Sequence, residues 1–125
     1  MLIDRFELPR GYRYILWNES GSVVIGSAVI ERSEDSVLLR DINLGREFRG
    51  EGVGTRLLEY ILEDLGEFEI RVRTFRGRVG WYERHGFQRI REIGELVEMR
   101  RPPRRVSMRG MRTFWYELSH DRAPR

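Results

Sequence analysis

The apolar positions of the first fifty residues fall in short runs separated by turn formers. Ile3–Leu8 reads as a short strand that Pro9-Arg10-Gly11 breaks. Tyr12–Trp17 (YRYILW) and Val23–Arg32 (VVIGSAVIER) flank Asn18-Glu19-Ser20-Gly21-Ser22, a hairpin connection, and Ser33-Glu34-Asp35 turns the chain into Val37–Leu44. β-Branched and aromatic residues dominate these runs, which are too short for helices. After Gly54 the period changes. Val53, Leu57, Leu58, Ile61, Leu62 and Leu65 recur at helical spacing, with Arg56, Glu59, Glu63 and Asp64 on the other side. Gly66 stands where a helix C-cap glycine belongs. Phe68, Ile70 and Val72 then alternate with Glu69, Arg71 and Arg73, which predicts a strand over 68–74. A short helix over 77–85 ends at Gly86, and Phe87–Ile93 is strand-like again.

Beyond Gly94, Leu96–Arg101 has strand composition but runs into Pro102-Pro103, and Arg104–Arg112 is basic and loop-like. Thr113–Leu118 (TFWYEL) is too apolar to lie in water. The pattern therefore puts the closing strand at 112–119 and makes 94–111 an excursion before it, with a final strand at 95–101 as the other choice. Strands, helix, strand, helix, strand is the order of an α/β or α+β sheet with helical crossovers.

At 125 residues and 15.0 kDa the chain predicts one domain over 1–125. Charged residues reach 34%, yet six Phe, five Tyr and three Trp argue for a packed fold over disorder. No apolar stretch approaches the length of about 18 residues that spans a membrane, and MLIDRFELPR lacks a signal-peptide core. The expectation is a soluble, cytoplasmic protein with no membrane partner. Without cysteine there is no disulfide, thiolate zinc site or cysteine nucleophile. Two histidines, His85 and His120, make no histidine-rich metal site, so no metal is expected. All 23 basic residues are arginine, which excludes a Walker-type phosphate loop and a Schiff-base or general-base lysine. Charge is divided unevenly: residues 1–99 hold 15 Arg against 18 acids, while 100–125 hold eight Arg against Glu117 and Asp121. Only the C-terminal fifth is basic, so a whole-chain nucleic-acid footprint is not supported.

The segment that points to chemistry is Arg49-Gly50-Glu51-Gly52-Val53-Gly54-Thr55, between a strand and the amphipathic helix. Glycines at alternate positions let backbone N–H groups approach a bulky anion, and the helix N-terminus favours negative charge. The physical reading is a pyrophosphate cradle. A dinucleotide-binding G-x-G-x-x-G is not met, because Thr55 stands where the last glycine counted from Gly50 belongs.

With Tyr82-Glu83-Arg84-His85-Gly86-Phe87 following one helix and one strand later, the chain resembles the GNAT superfamily of acyl-CoA-dependent N-acetyltransferases. Arg49-Gly50-Glu51-Gly52-Val53-Gly54 matches that family's Q/R-x-x-G-x-G/A signature, and Asp41-Ile42-Asn43-Leu44 resembles the strand end along the pantetheine arm. The resemblance covers about residues 12–93. It implies a mixed, mostly antiparallel central sheet with helices on both faces. It also implies acetyl-CoA as co-substrate, bound by Ile42, Leu44, Arg49, Gly50, Glu51, Gly52, Val53, Gly54, Thr55, Phe75 and Tyr82. Strand 37–44 would splay from 68–74 around the thioester, and a backbone N–H near Leu44 would polarise its carbonyl. Tyr82 matches the position that protonates the departing thiolate, and Asp41 is the carboxylate chosen as base. Glu47, Glu51 and the absence of any dedicated base stay open beside Asp41, and His85 reads as a capping residue.

Two departures mark this chain. Phe75 and Arg78 stand where the family carries its Asn and Ala. The two helices usually inserted between the first two strands have no room between Leu8 and Tyr12. The acceptor groove is then open on that side, unless 94–125 or a second subunit of a homodimer covers it. The implied activity is acetyl transfer to the amine of a peptide, protein or small molecule by direct attack. The alternative is a non-catalytic module of this fold that binds CoA or a partner, with nucleic acid at the Arg-rich C-terminal region.

Overall fold

Alternation of buried and exposed side chains runs through β-strands over 11–17, 24–32 and 69–75, while the strand over 88–93 is exposed along its whole length. The computed structural model describes residues 1–50 and 52–104. They form β1 (Leu2–Leu8), β2 (Gly11–Trp17), β3 (Val24–Arg32), β4 (Ser36–Leu44), α1 (Val53–Asp64), β5 (Glu69–Phe75), α2 (Val79–Glu83), β6 (Gln88–Ile93) and β7 (Leu96–Arg101). The order in the sheet is β1-β2-β3-β4-β5-β7-β6. Pairing is antiparallel throughout except between β4 and β5, which α1 joins as a parallel crossover. The expected mixed, mostly antiparallel sheet is what forms.

The C-terminal expectation is corrected in one place. Residues 96–101 belong to no excursion: Leu96–Arg101 is a strand in the sheet interior, pairing Val72 with Met99 and Thr74 with Val97 on one side and the β6 hairpin on the other. Val97 and Met99 are buried there, so burial against β5 decides the strand, and Pro102-Pro103 merely ends it. The predicted strand at 112–119 lies outside the described residues. Gly66 ends the helix without the left-handed form usual for a C-cap glycine. Positive φ occurs at Gly21, Gly50, Gly52, Gly86 and Gly94, whereas at Gly66 a Cβ would stand 2.9 Å from the Leu62 carbonyl oxygen. Glycine is needed at that helix end for close approach.

Helices on both faces are not seen among the described residues. Val53, Leu57, Leu58, Ile61 and Leu62 of α1 and Val79 and Tyr82 of α2 join one core with Tyr14, Ile30, Leu39, Val72 and Met99 on the same side of the sheet. Among the described residues, the turn between Leu8 and Gly11 leaves no segment to cover the other face. That face is accordingly polar over β5–β7, where Arg71, Arg73 and Arg91 converge on the buried Glu98 carboxylate at 3.2–3.3 Å. No described helix is long and apolar enough to cross a membrane.

One polar clamp locks α1 to the first hairpin. Asp64 ends the helix, where the macrodipole disfavours a carboxylate. It is nonetheless buried, accepting from the Tyr14 hydroxyl at 2.6 Å and from Arg5 at 3.0 Å. Burial and the Asp64 hydrogen bond both push the Tyr14 hydroxyl pKa up, so it stays a donor. Helical spacing alone had put Asp64 on the solvated side.

Candidate active site

The glycine segment lies at the N-terminus of α1. Gly50 has φ +84° and Gly52 φ +75°, left-handed values that other residues adopt at a cost. A Cβ at either would meet no protein atom within 4 Å, so the backbone here borders open space. Gly52 is the N-cap and supplies no side chain, while its carbonyl accepts the first helical bond from Arg56 at 3.1 Å. The N–H groups of the first turn, Val53, Gly54 and Thr55, lie ahead of any intrahelical acceptor. No acidic residue stands in that turn, and Arg49 is exposed beside it with no ion pair among the described residues. The residues fit a phosphate-bearing ligand: free donors, a positive helix end, a cation and no side chain in the way. Glu51 is outside the described residues.

Next to the loop the sheet opens. Ile30 pairs with Leu39 but Val29 pairs with Asp41, so Arg40 is an extra residue in β4. Such a bulge bends the strand that carries it. Pairing of β4 with β5 runs from Ser36 and Glu69 to Leu39 and Val72 and ends there. Beyond that point β4 stays with β3 as far as Leu44, and β5 stays with β7 as far as Phe75. The strands diverge into the expected wedge.

The register also shows where the main chain of β4 points. Gly45 donates to the Ile25 carbonyl at 2.8 Å, which makes 25/45 a hydrogen-bonded pair and Gly26/Leu44 a non-bonded one. By the same alternation Ala28/Ile42 is non-bonded. The N–H groups of Ile42 and Leu44 therefore point away from β3, into the wedge. The Asp41 backbone lies between them in β4.

Three elements converge on the helix start. A Cβ on Gly54 would stand 3.1 Å from Leu44 Cδ1 and 3.9 Å from Trp81 Cζ2, so β4 and α2 both press against this turn. Trp81 Nε1 donates to Thr55 Oγ1 at 3.0 Å, tying α2 to the loop. Tyr82 follows on α2 and is 3% exposed, edge-to-face with Trp81 at 4.8 Å and with Phe87 at 5.3 Å. The fold thus gathers Ile42, Leu44, Gly52, Val53, Gly54, Thr55 and α2 around one opening. Phe75 is set apart. It is 62% exposed at the end of β5, on the sheet face away from the helices. His85 donates from Nδ1 to the Trp81 carbonyl at 2.9 Å, in keeping with a capping role. Sequence reasoning missed Trp81, whose signal was its place beside Tyr82.

Comparison with known proteins follows the same line. The family model described as acetyltransferase (GNAT) domain matches residues 10–89. The fold is similar to a histone acetyltransferase HPA2 and related acetyltransferase from Corynebacterium glutamicum, with 20% identity, 78% of this chain and 67% of that chain covered, and a TM-score of 0.66. It is also similar to the ribosomal-protein-S18-alanine N-acetyltransferase from Escherichia coli, with 15% identity, coverage of 82% and 75%, and a TM-score of 0.68. A third is the PaiA N-acetyltransferase from Thermoplasma acidophilum in complex with coenzyme A, with 21% identity, coverage of 72% and 59%, and a TM-score of 0.60. None of the curated protein sequences matches the chain.

Proposed function

Because the chain belongs to the GNAT acetyltransferase family, we propose that it is an N-acetyltransferase that moves an acetyl group from acetyl-CoA to an amine by direct attack. The observation that carries this is the juxtaposition of a side-chain-free helix N-terminus with a wedge into which the Ile42 and Leu44 amides point. Bound acetyl-CoA supplies the acetyl group as a thioester. In this reading the amides of 50–55, with Arg49, hold its pyrophosphate through charge-assisted hydrogen bonds. The Leu44 N–H donates to the thioester oxygen and stabilises the charge that develops there. Asp41 takes a proton from the acceptor ammonium, so that the neutral amine attacks; the new C–N bond forms as the C–S bond breaks. Tyr82 gives its hydroxyl proton to the leaving thiolate, work that suits a phenol, and the second proton shed by the acylated nitrogen restores the phenol through solvent.

A peptide or protein amine suits the sheet face left without helices, and one structural neighbour is named for transfer to the alanine of a ribosomal protein. The test is thiol release from acetyl-CoA across a panel of peptides, polyamines and aminoglycosides. Amine-dependent release by at least one class is expected. Stabilisation by acetyl-CoA without release from any of them would instead mark a binding module. Action in the cytoplasm belongs to the same reading.

A further inference from the structure

Among the described residues, one buried charge stands without a partner. Arg101, the last residue of β7, is 4% exposed, and its Nη1 has no hydrogen-bond partner. By contrast, the buried carboxylates of Asp64 and Glu98 are each held by guanidinium donors. An arginine cannot shed its proton, so an unpaired guanidinium away from water opposes folding. Its surroundings add to the cost. Burial lowers the Arg101 pKa, and the positive charge of Arg104 lowers it further.

Arg101 lines a cavity of about 710 Å³ together with Arg84, His85, Arg104, Glu59 and Glu63. That volume lies in the range of small-molecule sites. Neither glutamate comes within ion-pair distance of the three guanidiniums among the described residues, so their donors stay uncommitted. The arginine is also held in place. Gly86 has φ +91°, and a Cβ there would stand 3.4 Å from Arg101 Nε, so the turn after α2 lies directly on the arginine stem. The cavity is separate from the glycine loop: Glu59, the α1 lining residue nearest to it, is six residues past Val53, roughly 9 Å along the helix at 1.5 Å per residue.

We propose that this cavity binds a small molecule carrying a phosphate or carboxylate group, held by the Arg101 fork with Arg84 and Arg104. A guanidinium matches either oxyanion in a bidentate fashion, and the bound anion supplies the counter-charge that the fold omits. The inference does not rest on the acyl-transfer reading.

The test is thermal unfolding of the full chain in inorganic phosphate, citrate or chloride at one ionic strength. Phosphate, citrate or both should raise the melting temperature above that in chloride, and the stronger of the two identifies the group. Arg101→Met should melt higher than wild type in chloride, because a similar apolar volume replaces an unpaired charge, and should lose the part of the anion response that does not come from the glycine loop. Should that variant not fold, Arg84→Gln with Arg104→Gln, both at exposed positions, should weaken apparent anion affinity about tenfold or more. Gly52→Ala separates the two sites: it should keep the response. A response lost in Gly52→Ala but kept in Arg101→Met would put the anion at the glycine loop and overturn the proposal, as would equal melting in all three salts. If Glu117→Gln with Asp121→Asn strengthens the response, the chain's own acids occupy the cavity and the small-molecule site falls.

Discussion

Replacing Gly52 by alanine separates the backbone role of the loop from its proposed ligand role. At φ +75° an alanine is strained by about 1–2 kcal/mol, offset by about 0.4–1 kcal/mol from a less flexible unfolded chain. The new methyl meets no protein atom within 4 Å, so no packing loss is added. The net destabilisation is about 1 kcal/mol, a fall of roughly 2–8 °C for domains near this size. Gly94 provides the control, since it has φ +59° with nothing within 4 Å, and it lies in the β6–β7 turn. Gly94→Ala should lose similar stability. The two variants should part only when ligand is added. Acetyl-CoA at 100 times its dissociation constant stabilises by about 2.7 kcal/mol. Wild type and Gly94→Ala should show that gain in a thermal scan, while Gly52→Ala should lose most of it because the methyl stands in the phosphate path. Equal gains in the two variants would refute the cradle at this loop.

Tyr82→Phe should lower kcat by about 10²–10⁴ while the acetyl-CoA dissociation constant holds, read from initial rates and calorimetry; an unchanged kcat would leave Tyr82 a packing residue. Tyr14→Phe removes a donor from the buried Asp64 carboxylate and should cost about 1.5–3 kcal/mol in urea unfolding. For acid stability the sign follows from Glu98 and Glu69. Burial pushes the Glu98 carboxyl up, but hydrogen bonds from Arg91 and Arg73 outweigh it and hold the pKa below the ordinary 4.5; Arg71 holds Glu69 low as well. A carboxyl depressed in the folded state stabilises above its unfolded pKa, and that stability is lost as pH falls through the folded value. The urea midpoint should therefore hold at neutral pH and drop below about pH 4.5, and Glu98→Gln should flatten that drop.

Much of this protein is legible in its sequence because short-range spacing carries it. β-Branched and aromatic runs between turn formers mark β2 and β3, a period of two marks β5, and a 3.6-residue stripe from Val53 to Leu65 marks α1. Glycines with positive φ at 50 and 52 announce a backbone conformation that other residues resist, so the loop is visible before any fold exists. What spacing cannot state is which faces meet across long separations. Proline after Leu96–Arg101 favours reading it as part of an excursion before a later closing strand, yet burial between β5 and β6 makes it an interior strand. Asp64 looked solvated because its neighbours on the helix are, until Tyr14, fifty residues away, reached it. The wedge depends on one bulged residue, Arg40, whose effect exists only relative to β3 and β5. Arg101 continues a basic run in the sequence, and only its place on the core side of β7 turns it into a buried charge beside a cavity. Local periodicity chose the elements; the burial of apolar faces between distant segments chose their partners, and with them the surroundings of each charge.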